Sequence, residues 1–183
     1  MIPVNSLVIS GPCSAETREQ VLETALGLSN VGIDYFRAGI WKPRTRPGEF
    51  EGIGDVGISW MCEVRETYGL KIATEVAKAE HVEFALKNNF DMIWVGARST
   101  VNPFTVQELS EALQGSQIPV MVKNPVNPDL KLWLGAIERL ERHGIQVLGA
   151  IHRGFSVYEK TNYRNNPHWQ IAIDLKQERP ALQ

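Results

Sequence analysis

The sequence predicts an α/β fold of repeated strand-helix units, on three observations. Short Val- and Ile-rich runs recur along the chain, amphipathic segments separate them, and basic residues stand where several of the runs end. Regular alternation of this kind marks strands of a parallel sheet joined by helical crossovers. With 183 residues, 43% of them hydrophobic and 22% charged, the chain has ordinary globular composition, and one domain spanning residues 1–183 is expected.

The expected strands are LVISG from Leu7, YFRAG from Tyr35, KIATEV from Lys71, MIWVGA from Met92, PVMVKN from Pro119 and VLGAI from Val147. Their continuous apolar character predicts burial on both faces. Between them, Thr17 with Gln20 and Thr105 with Glu108 have capping-box spacing, and Asn127 before Pro128 suits an N-cap followed by N1. Gly144 is placed to close the helix containing Leu134, Ile137 and Leu140, and His168 to Arg179 reads as a last helix. About six strand-helix units result, whereas a closed barrel of this kind uses eight and about 250 residues. An open doubly wound sheet also takes six strands, so periodicity leaves both architectures open.

The formal net charge of −2 excludes a general nucleic-acid footprint and makes any basic cluster local. No apolar stretch approaches the roughly 20 residues of a membrane span, and MIPVNSLVIS lacks a basic, signal-type start, so a cytoplasmic protein without membrane partners is expected. Cys13 and Cys62 are too few for a disulfide scaffold and read as thiols.

Cations at strand ends converge on one face of a barrel, which describes a pocket for a small, multiply charged anion such as a phosphorylated substrate. Arg37 and Lys42 flank the end of the second strand, and Lys42-Pro43-Arg44-Thr45 puts two cations and a hydroxyl on a proline-stiffened loop. That loop suits phosphate or carboxylate, or else is a solvated basic loop paired with Glu49, Glu51 or Asp55. Arg98, Lys123 and Arg153 end further strands, where a charge is costly unless a partner meets it. The partner is a ligand or a carboxylate such as Glu75, and recurrence at several strand ends favours the ligand. Cys13, in Gly11-Pro12-Cys13-Ser14, is a nucleophile, a metal ligand or a small residue packed in a turn. His152 beside Arg153 reads as packed or hydrogen-bonded rather than as a general base, and the Trp residues and Cys62 as core or helix-face groups.

With GPCSAE at Gly11, RAGIWKPRT at Arg37, GARS at Gly96, VKNP at Val122 and HRGF at His152, the chain resembles the 3-deoxy-D-arabino-heptulosonate 7-phosphate (DAHP) synthases. The likeness is to their short bacterial and archaeal type, sometimes fused to chorismate mutase. It implies a TIM (β/α)8 barrel, with the last two units missing here and no separate regulatory or chorismate mutase domain visible. It also implies an aldol-type condensation of phosphoenolpyruvate with erythrose 4-phosphate that releases phosphate and opens the shikimate route. KPRT stands where octulosonate-phosphate synthases carry a KANRT-like loop, which favours erythrose 4-phosphate.

Carried over by position, the resemblance makes Arg37, Lys42, Arg98, Lys123 and Arg153 the phosphoenolpyruvate-binding cations, and Arg44 with Thr45 the sugar-phosphate loop. Cys13 becomes a ligand of a divalent metal (Mn, Fe, Co or Zn), Lys42 a catalytic proton-transfer group and Glu75 a pocket carboxylate. The family's other metal ligands, a His, a Glu and an Asp on later segments, have no counterpart before Gln183. A chain ending there is expected to be weakly active or inactive by itself, to leave its first and sixth strands as edges, and to self-associate. A chorismate mutase fused to or associated with the full-length protein is among the arrangements the resemblance allows. The rivals are a noncatalytic phosphate-ligand binder and an octulosonate-type synthase.

Overall fold

The computed structural model describes residues 6–183, so the expectation drawn from the first residues, MIPVN, lies outside the described residues. In chain order the elements are β1 (Ile9–Ser10), α1 (Arg18–Ser29), β2 (Tyr35–Arg37), α2 (Val56–Tyr68), β3 (Ile72–Val76), α3 (Ala79–Lys87), β4 (Met92–Val95), α4 (Ala97–Thr100), α5 (Pro103–Leu113), β5 (Val120–Lys123), α6 (Leu130–Arg142), β6 (Val147–Ile151) and α7 (Trp169–Glu178). Hydrogen-bonded neighbours follow chain order from β1 to β6. A doubly wound sheet reverses its strand order at a switch point, so this uninterrupted, parallel succession has the topology of a TIM-type barrel, of which six strands are present.

The described residues form two compact units, residues 6–75 with 84–93, and 76–83 with 94–183. In the first, β1 pairs in parallel with β2 through Ile9 and Tyr35, and β2 with β3 through Phe36 and Ile72. Phe36, Ile72, Ala25, Met61 and Val64 are buried there, and Arg18 of α1 pairs with Glu63 of α2. In the second, β5 pairs in parallel with β6, with a register shift between Val120 and Met121. Its core takes Leu109, Leu113, Trp133, Ile137, Leu140 and Phe155.

Several expected details are corrected. Every residue of β3 and β4 is buried and β5 is buried up to Lys123, but β1 is half-buried and β2 and β6 bury one residue each, Phe36 and Gly149, so burial on both faces holds for β3 to β5. Thr17 does cap α1, accepting from Gln20 N–H. Thr105, however, lies inside α5, whose N-cap is Asn102 with Pro103 at the first helical position. The fixed φ of proline starts the helix earlier than the capping-box spacing implied. Asp129, accepting from Leu132 N–H at 3.1 Å, displaces Asn127 as the cap of α6. Gly144, at φ 76, follows the C-cap His143 and ends α6 as expected. The free edge expected on β6 is met by Gln183, whose N–H donates to Leu148 and whose carbonyl accepts from Ala150.

Candidate functional site

In the first unit the cations are arranged by main chain. Gly11 sits at φ 145, and a Cβ there would come within 2.1 Å of the Arg37 carbonyl oxygen, so only glycine lets this turn cross the end of β2. The turn then presents two carbonyls: Arg37 Nη1 donates to Pro12 O at 3.0 Å, and the Lys42 ammonium donates to Cys13 O. Lys42 Nζ also lies 3.7 Å from the exposed Cys13 Sγ. Gly39 makes room for this contact, since a Cβ at that position would stand 2.3 Å from Lys42 Nζ and 2.9 Å from Cys13 O.

The loop that carries Lys42 is clamped at its base. Trp41 bridges Gly52, Lys42 N–H donates to Glu51 O at 2.7 Å, and Arg44 Nε donates to Phe50 O at 2.7 Å. Arg44 and Thr45 themselves face solvent. At the end of β3, Thr74 Oγ1 donates to Ala38 O at 2.8 Å and Glu75 is buried, 9% exposed, which makes it the buried carboxylate of this unit's strand ends. Cys62 does not belong to this group. It lines a separate groove between α2 and α3 with Glu63, Arg65, Glu66 and Lys87.

In the second unit side chains do the arranging. Lys123 ends β5, its ammonium 5.2 Å from the centroid of the buried Trp94 ring, a cation–π distance. Thr100 Oγ1 lies 3.0 Å from both Lys123 O and Gly96 O. Asn124 is fully buried: its N–H donates to Ile151 O at 2.9 Å, and its Oδ1 accepts from Arg153 N–H at 2.7 Å. The Arg153 guanidinium donates to Asn165 Oδ1 at 2.6 Å. Arg98 is not on a strand but in the single turn of α4, exposed, directly after β4.

His152 is a packing group, as the sequence indicated. Nε2 lies 2.6 Å from Pro167 O, so it carries the hydrogen, and the ring packs 4.8 Å from Trp169 and 5.8 Å from Phe155. Trp41, Trp94 and Trp133 are buried, but Trp169 is 65% exposed on α7. Asn124, Asn165 and Trp94 escaped the sequence reading. Asn124 had a local signal, a polar residue directly after an apolar strand, whereas Asn165 acts across 12 positions of loop and had none.

The described residues do not gather a divalent-metal site. Among the described residues no three His, Cys, Asp or Glu side chains gather at ligand distance, and Cys13 is the one expected ligand this chain supplies. Several protein donors normally fix such a geometry.

Known proteins resemble the chain in sequence and in fold. Over 178 residues the chain is 32% identical to the phospho-2-dehydro-3-deoxyheptonate aldolase of Thermotoga maritima, covering 91% of this chain and 51% of that protein. A shorter match, 34% over 80 residues, covers 40% of the chain and 28% of the 2-dehydro-3-deoxyphosphooctonate aldolase of Rhodopseudomonas palustris. Among solved structures, that of the Thermotoga maritima heptonate aldolase (DAHP synthase) is similar with a TM-score of 0.79 and 27% identity, covering 95% of this chain and 49% of that one. A truncated form of the Thermotoga maritima 3-deoxy-D-arabino-heptulosonate 7-phosphate synthase gives 0.75 and 26%, covering 93% and 60%. The chain thus spans about half the length of the first of these relatives. Residues 4–182 match the DAHP synthetase I family across nearly the whole sequence, and the chain belongs to that family.

Proposed function

We propose that this chain carries the phosphoenolpyruvate-binding part of a 3-deoxy-7-phosphoheptulonate synthase, within a single synthase domain. The observation that carries the reading is that cations stand at or just beyond the ends of three strands, Arg37 and Lys42 for β2 in one unit and Lys123 and Arg153 for β5 and β6 in the other, within a family whose named relative is a heptonate aldolase. Arg37, Arg98, Lys123 and Arg153 hold the carboxylate and phosphate of phosphoenolpyruvate, guanidinium forks matching planar oxyanions. Arg44 and Thr45, exposed on the clamped loop, receive the phosphate of erythrose 4-phosphate. Lys42 is the proton-transfer group, held at the Cys13 turn.

In the reaction so assigned, C3 of phosphoenolpyruvate forms a bond to the aldehyde carbon, water adds at C2, and phosphate leaves with C–O cleavage. Binding two repelling anions side by side is the chain's contribution, and such positioning lowers a barrier by several kcal/mol. The family is generally metal-dependent, and Cys13 is the residue that would contribute to a metal here, but no step is assigned through it because the donors present do not form a site. No helix among the described residues is long and apolar enough to cross a membrane. A cytoplasmic, self-associating enzyme, with chorismate mutase fused or associated, completes the proposal.

The test is phosphate release by the natural gene product, given phosphoenolpyruvate with erythrose 4-phosphate or arabinose 5-phosphate, with and without a chelator. Chelator-sensitive turnover preferring the four-carbon sugar is expected, and Lys42→Ala should lower kcat on the order of 10²-fold. Preference for arabinose 5-phosphate overturns the substrate assignment. Phosphoenolpyruvate binding without turnover identifies a noncatalytic binder instead.

A further inference from the structure

We propose that Asn165 is a positioning residue for Arg153, with Asn124 its counterpart at the backbone. One neutral amide then aims the guanidinium that the reading above assigns to phosphoenolpyruvate and a second holds its main chain, and the inference rests on that reading. Asn165 Oδ1 accepts from Arg153 Nη2 at 2.6 Å. Asn124 Oδ1 accepts from the Arg153 N–H at 2.7 Å, while its Nδ2 donates to Gly154 O at 2.9 Å and to Pro125 O at 2.7 Å. Main chain and guanidinium of one arginine are therefore each held by an amide oxygen.

The chemistry of the amide is the point. A neutral oxygen orients a guanidinium without cancelling its charge, whereas a carboxylate in the same place would satisfy the fork and compete with an incoming oxyanion. Asn165 arrives there because the chain turns back on itself. Phe155 and Asn166 exchange N–H···O bonds of 2.7 and 2.8 Å, closing the intervening loop and returning its last residue beside Gly154. Gly154 permits the approach: it sits at φ 77, and a Cβ there would lie 3.0 Å from Asn165 Cβ and from the carbonyl oxygens of Asn165 and Asn166.

The experiment measures phosphoenolpyruvate affinity by calorimetry on the natural gene product, for Asn165→Ala, Asn165→Asp, Arg153→Ala and the Asn165→Ala/Arg153→Ala double variant, with thermal melting as the folding check. Asn165→Ala should weaken binding about tenfold, the scale of a hydrogen bond to a charged group. Asn165→Asp, which keeps the acceptor and adds a charge, should weaken it at least as much. In the Arg153→Ala background Asn165→Ala should cost about twofold or less, because its effect passes through Arg153. If Arg153→Ala weakens binding but Asn165→Ala does not, or if Asn165→Ala costs the same in both backgrounds, the positioning role is overturned and the anion-binding reading stands. Arg153→Ala that binds as tightly as the parent overturns that reading of Arg153, and the inference with it.

Discussion

The two units hold their cations by different means. In residues 6–75 with 84–93, Arg37, Lys42 and Arg44 each donate to a main-chain carbonyl, of Pro12, Cys13 and Phe50 respectively. In residues 76–83 with 94–183, Lys123 lies over the Trp94 ring and Arg153 is gripped by Asn165, with Asn124 fixing the backbone between them. A carbonyl is offered by whatever residue occupies the turn, so the first arrangement depends on the path of the chain and therefore on its glycines. An amide or an indole belongs to one residue type, so the second depends on individual side chains.

The contrast can be broken most severely at Gly11. With a Cβ 2.1 Å from Arg37 O at φ 145, Gly11→Ala should cost about 4 kcal/mol in denaturant unfolding, by forcing the turn off β2. Asn124→Ala comes next, at about 3 kcal/mol by the same measurement, because burial leaves Arg153 N–H and the carbonyls of Gly154 and Pro125 without their partner. A double-mutant cycle on Trp94→Leu and Lys123→Met should return a coupling of about 1 kcal/mol, and a coupling near zero would remove the aromatic support from the comparison. The smallest effect belongs to Cys13→Ala. The thiol is exposed and the Lys42 ammonium is held by the carbonyl of the same residue, so stability should change by no more than about 0.5 kcal/mol. A larger loss would show that the sulfur, not the main chain, organises the first unit.

Much of the fold was legible because strand signals are local. All six expected runs contain a strand, and the helix after His168 begins at Trp169. Caps were legible only where one candidate stood alone. Thr17 had no rival, but Asn102 with Pro103 outcompeted Thr105, and Asp129 outcompeted Asn127, because the cap goes to whichever side chain reaches the first free N–H groups. Arg37, Lys42, Lys123 and Arg153 were visible as charges interrupting apolar patterns. Their holders were not, since Pro12 reaches Arg37 across 25 positions, Cys13 reaches Lys42 across 29 and Asn124 reaches Arg153 across 29. Arg98 was legible as a charge but misplaced, because one helical turn after a strand leaves no periodicity to read.

By itself the sequence determined the alternation of strands and helices, the residues that end the strands, and the family these motifs belong to, all carried by short stretches whose chemistry does not depend on distant partners. Periodicity left the strand order open; the family resemblance implied a barrel, and the tertiary structure bears it out, with strands following one another in chain order rather than reversing at a switch point. The tertiary structure alone decided that one set of cations is held by carbonyls and the other by amide and indole side chains. Both are matters of which segments meet across long loops, and that is set by packing and backbone hydrogen bonding over the whole fold rather than by any local pattern.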